Sequence, residues 1–482
     1  MLRTLLLILS NIILLGLYLD NSIPFTRQNI TLIVILAIIS LFIFFSRPEK
    51  NNSLKGQYLR HSTLVIFGYF IVQYQCLIDF TLGYIDYTNT FIWIDNSIVI
   101  KSALLSTIGL CSFMIGYLLR QNSPIKKLNY RVKNIGIYGT RILNFGSFTS
   151  LILYFYFVNP EYLAGYYGRT EIGTVARYIV VLLNVFVYAT IIQNSRNIIA
   201  SNNIPDSFLI FIKRQGIIIN LIVIVYLLSV IFSGDRGPIM AYSLVYFGNY
   251  LFVTKKKYNL IKTSLLLIFG ALIITTLGEI RSLDRSKSFI ERFFTATGKD
   301  SEKMRNSILP ATTELGTSIR ALNLSLSHLP KNESYLNGRL QIQQLLTVLP
   351  FGTNLTELIF EDNSRRLTSS SRYITWINQG DFPTYGDGTS VIADFYIDFG
   401  VVGVLFGMIL FGYLMRNAEV IMYAYKLPSL FSHAFFIGYL SHSIYVSRST
   451  FLFELKEIVW LYAVLLLNSI VNQKSYKIKS FQ

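Results

Sequence analysis

The sequence GDFPTYGDGTS (380–390) runs directly into VIADFYIDFGVVGVLFGMILFGYLM (391–415), and the junction between them decides the fold. The second segment is apolar along almost its whole length, and it is long enough to cross a hydrocarbon core of about 30 Å as a helix. The first segment closes a polar loop, 279–389, that interrupts a series of similar apolar spans. We therefore expect the spans to anchor the chain in a membrane and the loop to carry any chemistry.

The composition of the chain is that of a membrane protein. Its 482 residues are 52% hydrophobic and only 14% charged, with a mean hydropathy of +0.48. Soluble domains contain roughly 25% charged residues. The apolar runs are continuous and lack the alternation of an outer-membrane barrel, so we expect an all-α polytopic fold. Cys76 and Cys111 both lie in predicted spans, and therefore no disulfide framework is indicated.

Hydropathy predicts about twelve transmembrane helices. They cover residues 4–19, 29–45, 62–84, 97–118, 138–158, 174–193, 215–232, 238–254, 259–278, 391–415, 430–446 and 451–471. The chain then has nine spans in 1–278, a large, partly helical loop in 279–389, and three spans with a short tail in 390–482. Pro350 interrupts the apolar stretch of the loop, which favours an interfacial or re-entrant element over a straight span.

Lysine and arginine residues concentrate in every second short loop. The run Lys255, Lys256 and Lys257 is one example, whereas the loop between Ile85 and Asn96 contains neither residue type. Basic loops stay in the cytoplasm, so we expect both termini to be cytoplasmic and the large loop to be periplasmic or extracellular. The same bias, with contacts to anionic lipid, accounts for the net charge of +17, and nucleic acid is not an expected partner.

Several arginines are expected on the outer side, against this bias. Arg236 lies in the turn SGDRGP (233–238) between two spans, and Arg448 lies in another outer turn. The large loop contributes further candidates, which are Arg281, Arg285, Arg320 and Arg372. An outer arginine can simply contact lipid headgroups. Guanidinium groups also bind phosphate oxygens bidentately and keep their charge, so a convergent set of them would suit a diphosphate ligand.

Carboxylates cluster where the large loop enters the next span. Asp387 is a candidate helix cap, since a carboxylate stabilises a helix N-terminus. Asp394 and Asp398 fall inside the span, where an ionisable group usually faces a cavity or a partner. We expect Asp394 or Asp387 to act as a general base. His433 and His442 are expected to hydrogen-bond to neighbouring helices, and the scattered histidines predict no metal site and no cofactor.

Three stretches carry a resemblance to a known family. They are SGDRG (233–237), ESYLNGRLQIQQLLTVLP (333–350) and GTSVIADFYIDFGVVG (388–403). The first resembles the Arg-Gly turn of the oligosaccharide repeat-unit polymerases, the O-antigen polymerase (Wzy-type) family. The second is similar to a stretch of that family's long outer loop, and the third resembles the entry to the helix that follows it.

The resemblance implies a bacterial inner-membrane glycosyltransferase of the GT-C-like polymerase and ligase architecture. Such an enzyme joins repeat units carried on undecaprenyl diphosphate into O-antigen or capsule, without a metal, on the outer face of the membrane. A chain-length regulator and a flippase are implied as partners. Two alternatives stay open, an O-antigen ligase-type transferase and a lipid-linked oligosaccharide flippase or transporter.

Overall fold

The computed structural model describes most of the chain. The described residues are 2–20, 22–46, 49, 51, 54–122, 139–163, 172–233, 235–268, 270, 307–349, 352–360, 365–424, 427–452 and 454–479. Every regular element in these residues is a helix, as the all-α prediction requires.

In the described residues, eleven helices and one further helical stretch precede the large loop. The helices are α1 (Leu2–Leu19), α2 (Arg27–Phe45), α3 (His61–Thr81), α4 (Thr90–Trp93), α5 (Asn96–Asn122), α6 (Arg141–Phe157), α7 (Pro160–Leu163), α8 (Thr174–Ala200), α9 (Phe208–Arg214), α10 (Ile217–Ser233) and α11 (Gly237–Thr254). A further helical stretch covers residues 260–268.

The described part of the large loop contains five short helices, and three longer ones follow it. The loop helices are α12 (Thr313–Gly316), α13 (Ile319–His328), α14 (Arg339–Leu346), α15 (Gly352–Phe360) and α16 (Ser370–Gln379). The later helices are α17 (Val391–Ala424), α18 (Leu430–His442) and α19 (Leu455–Lys479). Single turns of 3-10 helix occur at Pro310–Thr312, Arg365–Thr368 and Tyr445–Arg448.

Each predicted span coincides with a helix, at least in part. Among the described residues, seven helices are long and apolar enough to cross a membrane, and α9 with α10, bent by 106°, gives up to eight. Span 259–278 is described only as far as residue 270, and α18 is a short helix of 13 residues. The chain is therefore a polytopic membrane protein, while the number twelve stays a prediction.

Contacts between loops follow the alternation predicted from charge. One set joins loops assigned to the cytoplasm: Tyr58 N to Tyr258 O at 2.8 Å, Arg120 Nε to Asn417 Oδ1 at 2.9 Å, and Arg416 Nη2 to Glu49 Oε1 at 2.6 Å. Another joins loops assigned to the outside, or a helix end beside them: Tyr162 Oη to Asp235 Oδ2 at 3.1 Å, Arg27 Nη2 to Asp86 Oδ1 at 3.2 Å, and Ser307 Oγ to Asp79 Oδ2, near the end of α3, at 2.6 Å. We call these the inner and outer ends, and which end faces the cytoplasm stays a prediction.

The centre of the bundle is the packing of α5 against α17. A Cβ on Gly116 would lie 1.9 Å from the carbonyl oxygen of Ile409, and one on Gly412 would lie 1.9 Å from that of Phe113. Only glycine allows the two backbones to approach so closely, which is how small residues promote helix packing in membranes. This contact fixes the depth at which the start of α17 lies beside the outer-end loops.

The helix predicted over Val391–Met415 is present, but it is interrupted at Gly400. Gly400 has φ +62° and ψ −149°, which is outside the helical region, and the chain turns back there. A Cβ on Gly407 would lie 2.6 Å from the ring of Phe395, twelve positions earlier. In a straight helix these positions would be about 18 Å apart. The reversal folds Val391–Phe399 back against the rest of α17 and brings Asp394 and Asp398 to α14.

Candidate functional site

Two predicted arginines from different outer turns meet at one carboxylate. Arg236 Nη2 lies 2.5 Å from Glu314 Oε2, and Arg448 Nη1 lies 3.6 Å from Glu314 Oε1. Glu314 belongs to α12, in the large loop. The side chains of Arg236, Arg448 and Glu314 are 19%, 33% and 56% exposed. We call Arg236 and Arg448 the outer arginine pair, and solvent reaches both.

The turn that carries Arg236 is fixed by Asp235. Its Oδ1 accepts a hydrogen bond from Gly237 N at 3.1 Å, and its Oδ2 accepts one from the Tyr162 hydroxyl at 3.1 Å. Burial raises the pKa of Asp235, although these hydrogen bonds act in the opposite direction. Asp235 therefore braces the turn from within, and Arg236, at the N-terminus of α11, points to Glu314.

The arrangement can bind an anion. The two oxygens of Glu314 occupy the positions that oxygens of an anionic ligand would take between two guanidinium groups. Exposed ion pairs are worth only about 0–1 kcal/mol, so a ligand with more negative charge can displace this carboxylate. The geometry therefore suits a phosphorylated ligand at the outer end.

Arg320 and Asp387 pair with each other instead of joining the outer arginine pair. Arg320 Nε donates to Asp387 Oδ1 at 2.9 Å, and both side chains are buried. Arg320 also hydrogen-bonds to the carbonyl of Phe91 and lies over its ring, 4.3 Å from the centroid. Asp387 accepts further hydrogen bonds from Asn378 and Gln379. The pair fastens the end of the large loop to α13 and α4.

Asp394 and Asp398 hold α14 in place. Asp394 accepts hydrogen bonds from the side chains of Gln341 and Gln344, at 2.7 and 3.1 Å. Asp398 accepts from the backbone N–H groups of Leu340 and Gln341, at 3.2 and 3.0 Å, and so caps the N-terminus of α14 from another helix. Both carboxylates are fully buried. Their contacts explain how two ionisable groups are accommodated so early in α17.

Of the remaining predicted arginines, the structure describes Arg372, and this residue is not part of the cluster. Arg372 is exposed in the first turn of α16, where its guanidinium donates to Thr368 Oγ1 at 2.8 Å. Arg281 and Arg285 lie outside the described residues. The residue that the sequence analysis did not assign is Glu314. It is 78 positions from Arg236, and no spacing in the sequence indicates that the two meet.

A second cluster lies beneath the turn that carries Arg448. His442, Glu454 and Glu457 each place a ligand atom within 4.8 Å of the others, and among the described residues this is the one group of three with metal-ligand geometry. It joins the end of α18 to the start of α19.

Comparison with known proteins indicates one family. The family model for O-antigen polysaccharide polymerase Wzy matches residues 1–479. No curated protein and no solved structure matches the chain. The matched region includes both turns of the outer arginine pair and the whole of the large loop.

Proposed function

Because this chain belongs to the O-antigen polysaccharide polymerase Wzy family, we propose that its outer arginine pair binds the diphosphate of a lipid-linked oligosaccharide during repeat-unit polymerisation. The family assignment makes the chain a glycosyltransferase-type polymerase, and its apolar helices make it an integral membrane protein. The proposal concerns where the substrate binds and which side chains act on it.

The convergence of Arg236 and Arg448 on one carboxylate carries the proposal. When a sugar leaves undecaprenyl diphosphate, negative charge develops on the departing diphosphate, and fixed positive charge at that position lowers the barrier. Guanidinium groups supply this charge at every relevant pH. The charge bias of the alternate loops supports placing the reaction on the outer face of the membrane.

We assign the general base to Glu314 in place of Asp394 or Asp387. A base must reach the acceptor hydroxyl, which attacks beside the departing diphosphate. Glu314 contacts both arginines and is half-exposed, whereas Asp394 holds two glutamine side chains and Asp387 is paired with Arg320. When the diphosphate binds Arg236 and Arg448, it displaces the Glu314 carboxylate. This carboxylate then lies beside the diphosphate and can accept the proton of the acceptor hydroxyl.

The reaction step balances as a glycosyl transfer. The acceptor hydroxyl oxygen forms a bond to the anomeric carbon of the growing chain, and the bond from that carbon to the diphosphate oxygen breaks. The electron pair stays on the diphosphate, which Arg236 and Arg448 hold. The hydroxyl proton passes to Glu314.

The test is polymerisation in vitro with Glu314→Gln. Purified full-length protein in nanodiscs receives one synthetic repeat unit on undecaprenyl diphosphate, and the products are resolved by size. The wild type should produce a ladder. Glu314→Gln should lower kcat by about 10²- to 10⁴-fold, the usual contribution of a positioned base, with KM unchanged or lower. A matched control is Arg27→Ala, which breaks an exposed outer ion pair with Asp86 and should leave the ladder intact.

The KM and kcat values separate two roles of Glu314. If Glu314→Gln lowers KM and keeps the wild-type kcat, the carboxylate is only a counter-ion and its assignment as base is wrong. If Arg236→Ala and Arg448→Ala also keep the wild-type kcat and KM, the diphosphate site lies elsewhere.

A further inference from the structure

Two glutamates and a histidine are packed together beneath the Arg448 turn. His442 Nδ1 lies 2.9 Å from Glu454 Oε2, and Glu457 follows one helical turn later. Glu454 and Glu457 are only 3% and 8% exposed. Two carboxylates so close together repel each other when both are ionised, and burial increases that cost. One imidazole balances only one of the two carboxylates, so the other requires either a proton or a further cation.

The neighbouring groups do not supply that charge. Glu454 Oε1 and Glu457 Oε1 are buried, and neither has a hydrogen-bond partner in the described part of the chain. Lys456 lies between them in sequence, but its ammonium group is over the rings of Tyr178 and Trp460, at 4.2 and 5.0 Å. A buried carboxylate oxygen with no donor is costly, and a cation bound by the two carboxylates would offset that cost.

The donor atoms have the spacing of metal ligands. Cis ligands of an octahedral ion with bonds of about 2.1 Å lie about 3 Å apart, and trans ligands about 4.2 Å apart. The His442 to Glu454 distance of 2.9 Å and the 4.8 Å limit for all three atoms fit this range with small adjustments. One imidazole with two carboxylates suits divalent ions of the first transition row. We infer that His442, Glu454 and Glu457 bind one such cation.

The position of the site gives the cation a structural role. His442 ends α18 and Glu454 precedes α19, so the cation would clamp the two ends of the connection that contains Arg448. Arg448 is six positions from each of His442 and Glu454 and lies in a single 3-10 turn. The clamp holds this turn against the bundle and so positions one member of the outer arginine pair. The inference departs from the expectation that the scattered histidines form no metal site.

The inference is tested by metal content and does not depend on polymerase activity. Full-length protein is purified in detergent without a histidine tag, treated with EDTA, and dialysed against MnCl2 or ZnCl2. Mass spectrometry of the metal should find one ion per chain, and the ion should raise the thermal unfolding midpoint. His442→Gln and Glu457→Gln should weaken binding by roughly 10-fold or more and abolish the thermal shift.

Two control variants match the test variants. His433→Gln changes another buried histidine of α18, which faces Asn249 at 3.1 Å, and Asp86→Asn removes an exposed outer-end carboxylate. Both should bind one ion as the wild type does. Metal content that is equal in His442→Gln, Glu457→Gln and the wild type would overturn the inference, as would a wild type that binds no ion and shows no thermal shift.

A second measurement needs no variant and covers the case in which Glu457→Gln fails to fold. Wild-type protein labelled with 15N-histidine is loaded with Mn²⁺ and examined by pulsed electron paramagnetic resonance. A nitrogen coupling that changes with the label places histidine on the ion, as inferred. A bound Mn²⁺ with no such coupling lies at another site and overturns the inference.

Discussion

The two ends of the bundle each bring a pair of arginines to carboxylates, with opposite consequences. At the inner end, two arginines and two glutamates are between 0% and 8% exposed; they are Arg60, Arg416, Glu49 and Glu419. At the outer end, the arginine pair shares Glu314, and the three side chains are between 19% and 56% exposed. An arginine cluster is therefore not a binding site in itself, because the inner one is balanced and closed.

The inner cluster is a structural device. Burial alone would raise the pKa of Glu49, but the hydrogen bond and charge of Arg416, with the charge of Arg60, hold that pKa below its usual value. Tyr117 donates a 2.5 Å hydrogen bond to Glu419 and accepts one from Arg416. These groups connect α3, α5 and α17 to the connection after α2, so their charges are used in holding helices together.

The largest expected effect is the loss of stability in Arg416→Ala. This change leaves Glu49 and Glu419 buried beside a single arginine, and breaking a buried pair costs about 3–5 kcal/mol. Thermal or denaturant unfolding of the purified protein measures the change. The protein that remains folded should have the wild-type KM, since the cluster lies at the opposite end of the bundle from the outer arginine pair. A stable Arg416→Ala protein would show that the inner cluster is no more structural than the outer one.

The next effect is the loss of catalysis in Arg236→Ala. Removing one group that stabilises developing charge costs about 10²- to 10³-fold in kcat, or about 2.7–4 kcal/mol. The unfolding midpoint should change less than in Arg416→Ala, because the partner of Arg236, Glu314, is 56% exposed and is not left as a buried charge. Product ladders and unfolding curves measured on the same preparation test both halves of this statement.

Arg27→Ala is the matched control for Arg236→Ala. It removes an arginine that pairs with Asp86 at the same end, and it should change neither the ladder nor the midpoint. A folded Arg236→Ala protein that makes polymer of wild-type length at wild-type rate would remove the centre of the proposal.

The sequence predicts the helices around the site better than the side-chain contacts within it. Hydropathy placed the helices, and the alternation of charged loops predicted that Arg236 and Arg448 share an end. The sequence does not predict that Arg320 pairs with Asp387, 67 positions away, or that Glu314 pairs with Arg236. Both contacts depend on how the large loop folds. Gly400 lies in an apolar run that is typical of a straight helix, and its reversal depends on packing against Tyr335.

An intermediate effect is expected from Asp398→Asn, which tests a carboxylate outside both clusters. The change replaces one of the two carboxylate oxygens that accept hydrogen bonds at the N-terminus of α14 by an amide N–H₂ group. This group is itself a donor and would face a backbone N–H group. Losses of this kind cost about 1–2 kcal/mol. Hydrogen exchange should become faster in residues 339–346, with a modest fall in kcat. If kcat falls by several orders of magnitude while exchange stays slow, Asp398 acts in catalysis and the cap is secondary.

The smallest effect is salt dependence, and it separates the two ends without any mutation. Raising NaCl from about 0.1 M to about 1 M shortens the Debye length from about 10 Å to about 3 Å. Screening weakens both the Glu314 contacts and those of the substrate, but a diphosphate carries more charge than a carboxylate, so substrate binding loses more. KM should rise roughly 2- to 5-fold, the equivalent of about 0.4–1 kcal/mol for exposed charges.

The unfolding midpoint should not fall, because the inner cluster is shielded from salt. The reverse result is a constant KM with a falling unfolding midpoint. It would mean that solvent and salt reach the charges of the inner cluster, and that the inner cluster is not closed.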